Sequence, residues 1–399
     1  MKLFQRLLVA PAALGLLAPL STNATEVNLS EISKYSDVES VDFANSFDDN
    51  SSNESTLLAG GEGLVESDSF DGGFSETTTA TFGVNFYAGI SDDDDPTTAN
   101  PPTDFDDNLM TGYDFSIGLT TSFTGEDSLD IAIDAGDGDS EGILEFGGDG
   151  NNGVLTVDEI SYTFPLGDKT TVIVGDNLGA STLFTKACVY GTPSDTLDEC
   201  GVPNGYVGND GAMVGVAYDF GNGLTAAAGY AGEGADVFNE EGVDGYGFNV
   251  AYTADTYGAS FTYGALEDDA ADQTAQDNMG VDTFFAFNAY FDPATQGFPS
   301  ISVGYENGED ASVDGDSYGI TNFMVGATWD DIGPGSFGVG MGTHVNTVED
   351  TDAQYMYEAY YEYPINDGMT ITPLIFTKDV STAETDDTTG VMVKTSFAF

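Results

Sequence analysis

The chain has very little positive charge. Its 399 residues include 7 Lys plus Arg against 69 Asp plus Glu, a net charge of -62. So few cations cannot neutralise a phosphate backbone, which excludes nucleic acid as a partner. An anionic membrane surface is disfavoured for the same reason, and cations are the natural partners. Histidine is almost missing too, with His344 alone. Hydrolytic triads and zinc centres lack the imidazoles they usually use. Carboxylates are so common that a pair of them says nothing about glycoside hydrolysis. The expectation is a protein that is not an enzyme and needs no cofactor.

Long apolar runs are scarce. After the first stretch, nothing approaches the roughly 18 uninterrupted apolar residues of a membrane-spanning helix. The first stretch itself reads as a secretory signal over residues 1–24. Lys2 and Arg6 supply the charge, Leu7 to Leu20 the apolar region, and Thr22-Asn23-Ala24 the cleavage site. The rest is therefore exported. Cysteine is limited to Cys188 and Cys200. In an exported chain such a pair reads as a disulfide, the alternative being two unpaired thiols. Closing so short a loop restrains it by about 3 kcal/mol.

What the chain has is glycine, 51 residues, and aromatics, 12%, mostly Phe and Tyr. That composition favours many short strands. Residues 25–76 are polar and acidic and read as a flexible segment. From residue 77 to residue 399 the pattern is strands of about ten residues. They are predicted near 78–90, 109–124, 127–134, 154–165, 168–176, 211–220, 222–231, 244–255, 256–266, 279–291, 298–306, 317–330, 335–345, 353–364, 368–377 and 388–399. The connections alternate between long and short along this series, with Pro293–Gly297 the least clear member.

The faces alternate as well. Val391, Val393, Thr395, Phe397 and Phe399 oppose Met392, Lys394, Ser396 and Ala398. Tyr246, Phe248, Val250 and Tyr252 oppose Gly247, Asn249 and Ala251, and Tyr357 and Tyr361 oppose Glu358 and Glu362. One face is apolar and the other small or acidic. A strand that ends on an aromatic would be an aggregation hazard at a soluble edge. In a closed barrel it faces lipid and has no edge. The fold expected is all-β, a transmembrane antiparallel β-barrel of about 16 strands in the cell outer membrane. A soluble sandwich also alternates, but has no reason to alternate its loop lengths.

The signal MKLFQRLLVAPAALGLLAP, the stretch LTVDEISYTFPLGDKTTVIVGD (Leu155–Asp176) and the end EYPINDGMTITPLIF…DDTTGVMVKTSFAF resemble cyanobacterial outer-membrane porins of the carbohydrate-selective porin superfamily. The resemblance implies a sixteen-stranded channel, and analogy with such porins implies a homotrimer. Long members of the family carry a surface-layer-homology domain and a coiled coil ahead of the barrel. Residues 25–76 are too short and too acidic for either, so the chain looks like a short form without that domain.

On this reading the barrel passes ions and small hydrophilic solutes passively. Lumen carboxylates expected to make it cation-preferring are Asp114, Asp130, Asp134, Glu159, Asp219, Glu306, Glu358 and Glu362, with Lys394 a rare inward base. His344 reads as one more lumen-lining polar residue. The longest connection, Asn177–Asp210, is the third long one. By analogy with porins it folds inward and puts Lys186, Asp195, Asp198 and Glu199 at a constriction; the alternative is an outward loop stapled by its cysteines. Asp137, Asp139 and Glu141 begin a calcium-loop pattern, but Gly148 stands where the twelfth-position acid belongs. Weak divalent-cation binding or a plain solvated loop both fit. A second functional class stays open: an acidic surface protein or adhesin whose barrel is only an anchor.

Overall fold

The structure, a computed structural model, describes residues 78–91, 109–137, 153–191, 193–194, 197, 200–207, 211–232, 243–267, 281–293, 295, 297–311, 317–343, 347–348, 351–379 and 387–399. The signal and the acidic segment read from the sequence, and His344, lie outside them.

The strands follow in chain order: β1 (Thr78–Ser91), β2 (Met110–Thr121), β3 (Ser128–Asp137), β4 (Thr156–Pro165), β5 (Thr170–Leu178), β6 (Gly211–Gly221), β7 (Leu224–Gly232), β8 (Asp244–Thr253) and β9 (Tyr257–Glu267). The second half holds β10 (Val281–Phe291), β11 (Ser300–Ala311), β12 (Ser317–Ile332), β13 (Gly335–Thr343), β14 (Thr347–Val348), β15 (Tyr355–Asn366), β16 (Met369–Lys378) and β17 (Thr388–Ala398). Each pairs antiparallel with its neighbours, and β17 returns to β1. The two-residue β14 pairs only with β12, beside which β13 also runs. The wall is therefore a closed ring of sixteen strands. The sequence predicted one strand at 335–345, and β13 covers Gly335–Thr343 of it; residues 344–346 lie outside the described residues.

Closure follows from the solvent. A bilayer offers backbone N–H and C=O groups no partner, so every strand must pair on both sides. The last gap is closed by β1 and β17, in register from Gly83↔Ala398 to Ser91↔Gly390. Phe399 extends that seam. Its N–H donates to Phe82 O at 3.1 Å, Phe82 N–H donates to Phe399 O at 2.9 Å, and the two rings stack at 5.6 Å.

The period-2 pattern decides which face meets lipid. On β6, Val214, Val216, Tyr218 and Phe220 are exposed outward, while Met213 and Ala217 are buried inward. At the end that carries Phe399 the exposed aromatics gather as Phe123, Phe220, Tyr252, Tyr257, Phe291 and Tyr363. Trp329 packs on Phe337 at 5.9 Å nearby. This is the aromatic girdle of a bilayer interface. Connections at this end are short. Asn222 and Gly223 both take positive φ, 57° and 86°, which matches the right-handed twist of the flanking strands. Pro293–Gly297, ambiguous in sequence, falls on this side, between β10 and β11.

The turn between β2 and β3 is held by one carboxylate. Asp127 Oδ1 accepts from Ser122 Oγ, Thr124 Oγ1 and the N–H groups of Phe123 and Thr124, and Oδ2 accepts from Tyr162 Oη at 2.7 Å. Burial alone would raise its pKa, but these hydrogen bonds outweigh it and hold the carboxyl well below the usual range.

Two predictions follow from the seam and this turn. Deleting Phe399 removes two backbone bonds and a stacked ring pair, about 2–4 kcal/mol. The fraction of folded, heat-modifiable barrel in the outer membrane should fall sharply; an unchanged fraction contradicts the seam. For Asp127, the folded pKa lies below the unfolded one. Its stabilisation is thus complete above about pH 4 and is lost as pH falls below that. The gap in unfolding midpoint between the parent and Asp127→Asn should be present at pH 7 and shrink below pH 4; a constant gap contradicts it.

Candidate functional site: the inner wall and the inserted connection

The described residues of the connection between β5 and β6, 179–191, 193–194, 197 and 200–207, lie inside the barrel. Their course is set by complementarity between an apolar connection and a wall of small inner residues. Ala180, Leu183, Phe184, Val202, Tyr206 and Val207 form a buried cluster with Ile173, Met213, Ala217, Ala227 and Ala286 of the wall. Further along, Tyr190, Leu197 and Cys200 join Met324, Met356, Tyr360, Leu374 and Phe376 in a second cluster. The wall must be bare where the backbone passes. A Cβ at Gly229 would lie 1.8 Å from Ala180 O, and one at Gly304 would lie 1.7 Å from Cys200 O.

Polar groups of the wall meet the connection at successive strands. Thr185 N–H donates to Asn249 Oδ1 on β8 at 3.1 Å, and Ala187 N–H to Ser260 Oγ on β9 at 3.0 Å. Val189 and Tyr190 N–H both donate to Ser302 Oγ on β11. On β10, Asn288 takes the Tyr206 hydroxyl at 3.1 Å and donates to Cys200 O at 3.4 Å. Cys188 and Cys200 are joined by a disulfide, with their Cα atoms 6.5 Å apart.

Two carboxylates make the strongest of these contacts. Glu306 on β11 is 0% exposed. It accepts from Asn204 Nδ2 at 2.6 Å, from Gly205 N–H at 2.5 Å, and from Asn322 Nδ2 of its own wall at 3.1 Å. Glu358 on β15, 4% exposed, accepts from Tyr190 Oη at 2.5 Å and Ser194 Oγ at 2.8 Å. Buried charge survives only where donors surround it. Burial, then the Glu358 charge, push the Tyr190 phenol far above its usual pKa, so it stays a donor. Burial likewise pushes Tyr206 up to about 12.

The sequence placed Glu306 and Glu358 among open lumen charges. They do project inward, but the connection covers them, and their oxygens are taken up in holding it. Strand parity tells which face a side chain is on, not what lies over that face. The same limit hid Tyr190, Asn249, Ser260, Asn288 and Ser302. The signal for Asn249 and Asn288 was the rarity of large polar residues on otherwise small inner faces; Tyr190, Ser260 and Ser302 had none.

The other candidates stand on the inner face of the remaining wall. Asp114 on β2 accepts from Asn85 Nδ2 at 2.8 Å and from Tyr87 Oη. On β3, Asp130 accepts from Thr120 and Ser128, and Asp134 from Thr156 at 3.0 Å. Ser161 Oγ donates to Glu159 Oε1 on β4. Asp219 accepts from Gly221 N–H at the short-turn end of β6. Glu362 on β15 and Lys394 on β17 are half-buried, and the Lys394 ammonium lies 5.5 Å from the centre of the Tyr87 ring. Lys186 rests over Tyr206 at 4.6 Å, within the connection itself. Asp195, Asp198 and Glu199 lie outside the described residues. So do Asp139 and Glu141 of the calcium pattern; Asp137 is exposed at the end of β3. No cluster of metal-ligating side chains occurs among the described residues.

The fold is that of bacterial outer-membrane porins. OprB of Pseudomonas putida matches with a TM-score of 0.61 and 11% identity, over 81% of this chain and 94% of that one. An anion-selective porin from Comamonas acidovorans matches at 0.59 and 13% identity, over 81% and 99%. The trimer form of OmpT, an outer membrane protein of Vibrio cholerae, matches at 0.57 and 11% identity, over 81% and 100%. No family model matches the sequence, and comparison with curated proteins finds no relative.

One prediction concerns the anchors. Glu306→Ala strands buried donors of the connection and the wall and should loosen the connection by about 3–5 kcal/mol. Protease cleavage between residues 188 and 205 should rise well above the parent, with Asp130→Ala, on the other wall, unchanged. Equal resistance in both variants contradicts the anchoring role.

Proposed function

We propose that the chain is an outer-membrane porin, a passive channel for ions and small hydrophilic solutes that prefers cations. The observation that carries this reading is the closed sixteen-stranded wall with a lipid-compatible exterior and a long connection packed inside it. A barrel serving only as an anchor has no need of an interior connection held by buried carboxylates. The likeness to porin structures supports the channel reading at the level of fold. We also keep the cyanobacterial, short-form assignment, on the sequence stretches that carry it. A homotrimer is our expectation for the assembly, in keeping with the trimeric OmpT form.

The charge preference is argued from this chain alone. Beyond residue 77 the sequence holds four basic residues, Lys169, Lys186, Lys378 and Lys394. None is on β2, β3 or β4, where Asp114, Asp130, Asp134 and Glu159 project inward. Fixed negative charge inside low-dielectric walls raises the local cation concentration. The Comamonas porin is described as anion-selective; its fold is shared, but selectivity resides in side chains.

In a planar bilayer under a potassium chloride gradient, the reversal potential should favour potassium. It should weaken as salt rises, because the screening length falls from about 10 Å at 0.1 M to about 3 Å at 1 M. Asp114→Asn with Asp134→Asn should weaken it further. Anion preference at low salt contradicts the cation reading, and absence of conductance contradicts the channel.

A further inference from the structure

Lys394, an inward cation on the barrel wall, stands in a row of unlike charges. Lys394 is level with Thr372 on β16 and with Tyr87 on β1. Glu362 lies between Tyr360 and Tyr363 on β15, whose partners Leu374 and Ile371 bracket the same Thr372. Glu362 and Lys394 are thus two strands apart at one height, about 10 Å along the wall. Beyond Tyr87 the row continues to Asp114, which takes the Tyr87 hydroxyl.

Among the described residues the ammonium meets a ring and no carboxylate: it lies 5.5 Å from the centre of the Tyr87 ring. Ser336 Oγ stands 3.5 Å from Glu362 Oε2, and no donor among the described residues meets Oε1. An inward lysine closely paired with none of the acidic side chains among the described residues keeps its capacity for a solute anion. Both side chains are half-buried and project inward, so neither has lost all contact with water.

We propose that Lys394 and Glu362 form a lumen site for zwitterionic solutes of the α-amino-acid class, Lys394 receiving the carboxylate and Glu362 the ammonium. The site rests on the channel reading above and names one of the solute classes it carries. A cation meets Lys394 as a barrier and an anion meets Glu362 as one. A solute with both charges finds a partner for each. A neutral polyol gains nothing from either. Charge pairs this exposed are weak, as a channel site must be: enough to raise occupancy, not enough to trap.

The test compares two isomers of one formula, alanine, which is zwitterionic at pH 7, and lactamide, which is neutral. Swelling of liposomes holding the full-length mature chain reports the entry of each. Alanine should enter about twofold to fivefold faster than lactamide, the range expected of one or two exposed ion pairs. Lys394→Gln and Glu362→Gln should each bring that ratio close to one while leaving lactamide entry unchanged, which also verifies a folded, open pore. Lys394→Arg should keep the advantage. If lactamide enters and alanine has no advantage, or the advantage survives both Gln substitutions, the site is overturned and the channel reading stands. If lactamide does not enter at all, both fall.

Discussion

The structure depends on one requirement, that no backbone polar group be left unpaired in hydrocarbon. A single strand cannot meet it, nor can an open sheet. A ring can, and the ring is closed here by the pairing of β1 with β17, extended by Phe399. Closure then creates a second problem. Sixteen strands enclose more space than their own side chains fill. The residues that pack best are already outside, facing lipid. In this chain the connection after β5 occupies part of the interior, so the large apolar clusters among the described residues lie inside the barrel, between that connection and the wall.

That arrangement gives the acidic composition two roles. Where the connection lies against the wall, Glu306 and Glu358 are buried and act as acceptors for a segment whose backbone N–H groups and hydroxyls would otherwise be orphaned. A carboxylate suits this because it accepts several donors at once. Along β2, β3 and β4 the same residue types sit half-buried among hydroxyl groups. There they bring fixed charge to the interior. Two carboxylates of one type on one face thus differ in what covers them, and on the channel reading proposed above the uncovered ones are those that act on permeation.

Much of this was legible in the sequence, because strand periodicity and loop length are local properties. The first strand was predicted at 78–90 and runs over Thr78–Ser91; the last was predicted at 388–399 and runs over Thr388–Ala398. The outward set of Tyr246, Phe248, Val250 and Tyr252 and the inward set of Gly247, Asn249 and Ala251 read directly from alternation. The pairing of Thr347–Val348 with β12 did not. The function of the inner glycines was also hidden. The sequence marks these positions only as members of a small inner face, whereas Gly229 and Gly304 are where another part of the chain passes within van der Waals reach. Sequence separations such as 101 residues between Gly205 and Glu306 leave no periodic trace.

The central claim is that the connection after β5, in its described residues from 179 to 207, folds back against the inner wall instead of standing out from the barrel. It is tested most directly by a covalent link. A Cβ at Gly205 would lie 2.6 Å from the Cβ of Ala286, so a small outward shift reaches the roughly 3.8 Å of a disulfide. In the Gly205→Cys, Ala286→Cys chain, a linked peptide joining the two positions should form spontaneously in the outer membrane and be found by mass spectrometry, beside the native Cys188–Cys200 link. Free thiols at both positions, labelled by an impermeant maleimide from outside the cell, would contradict the account.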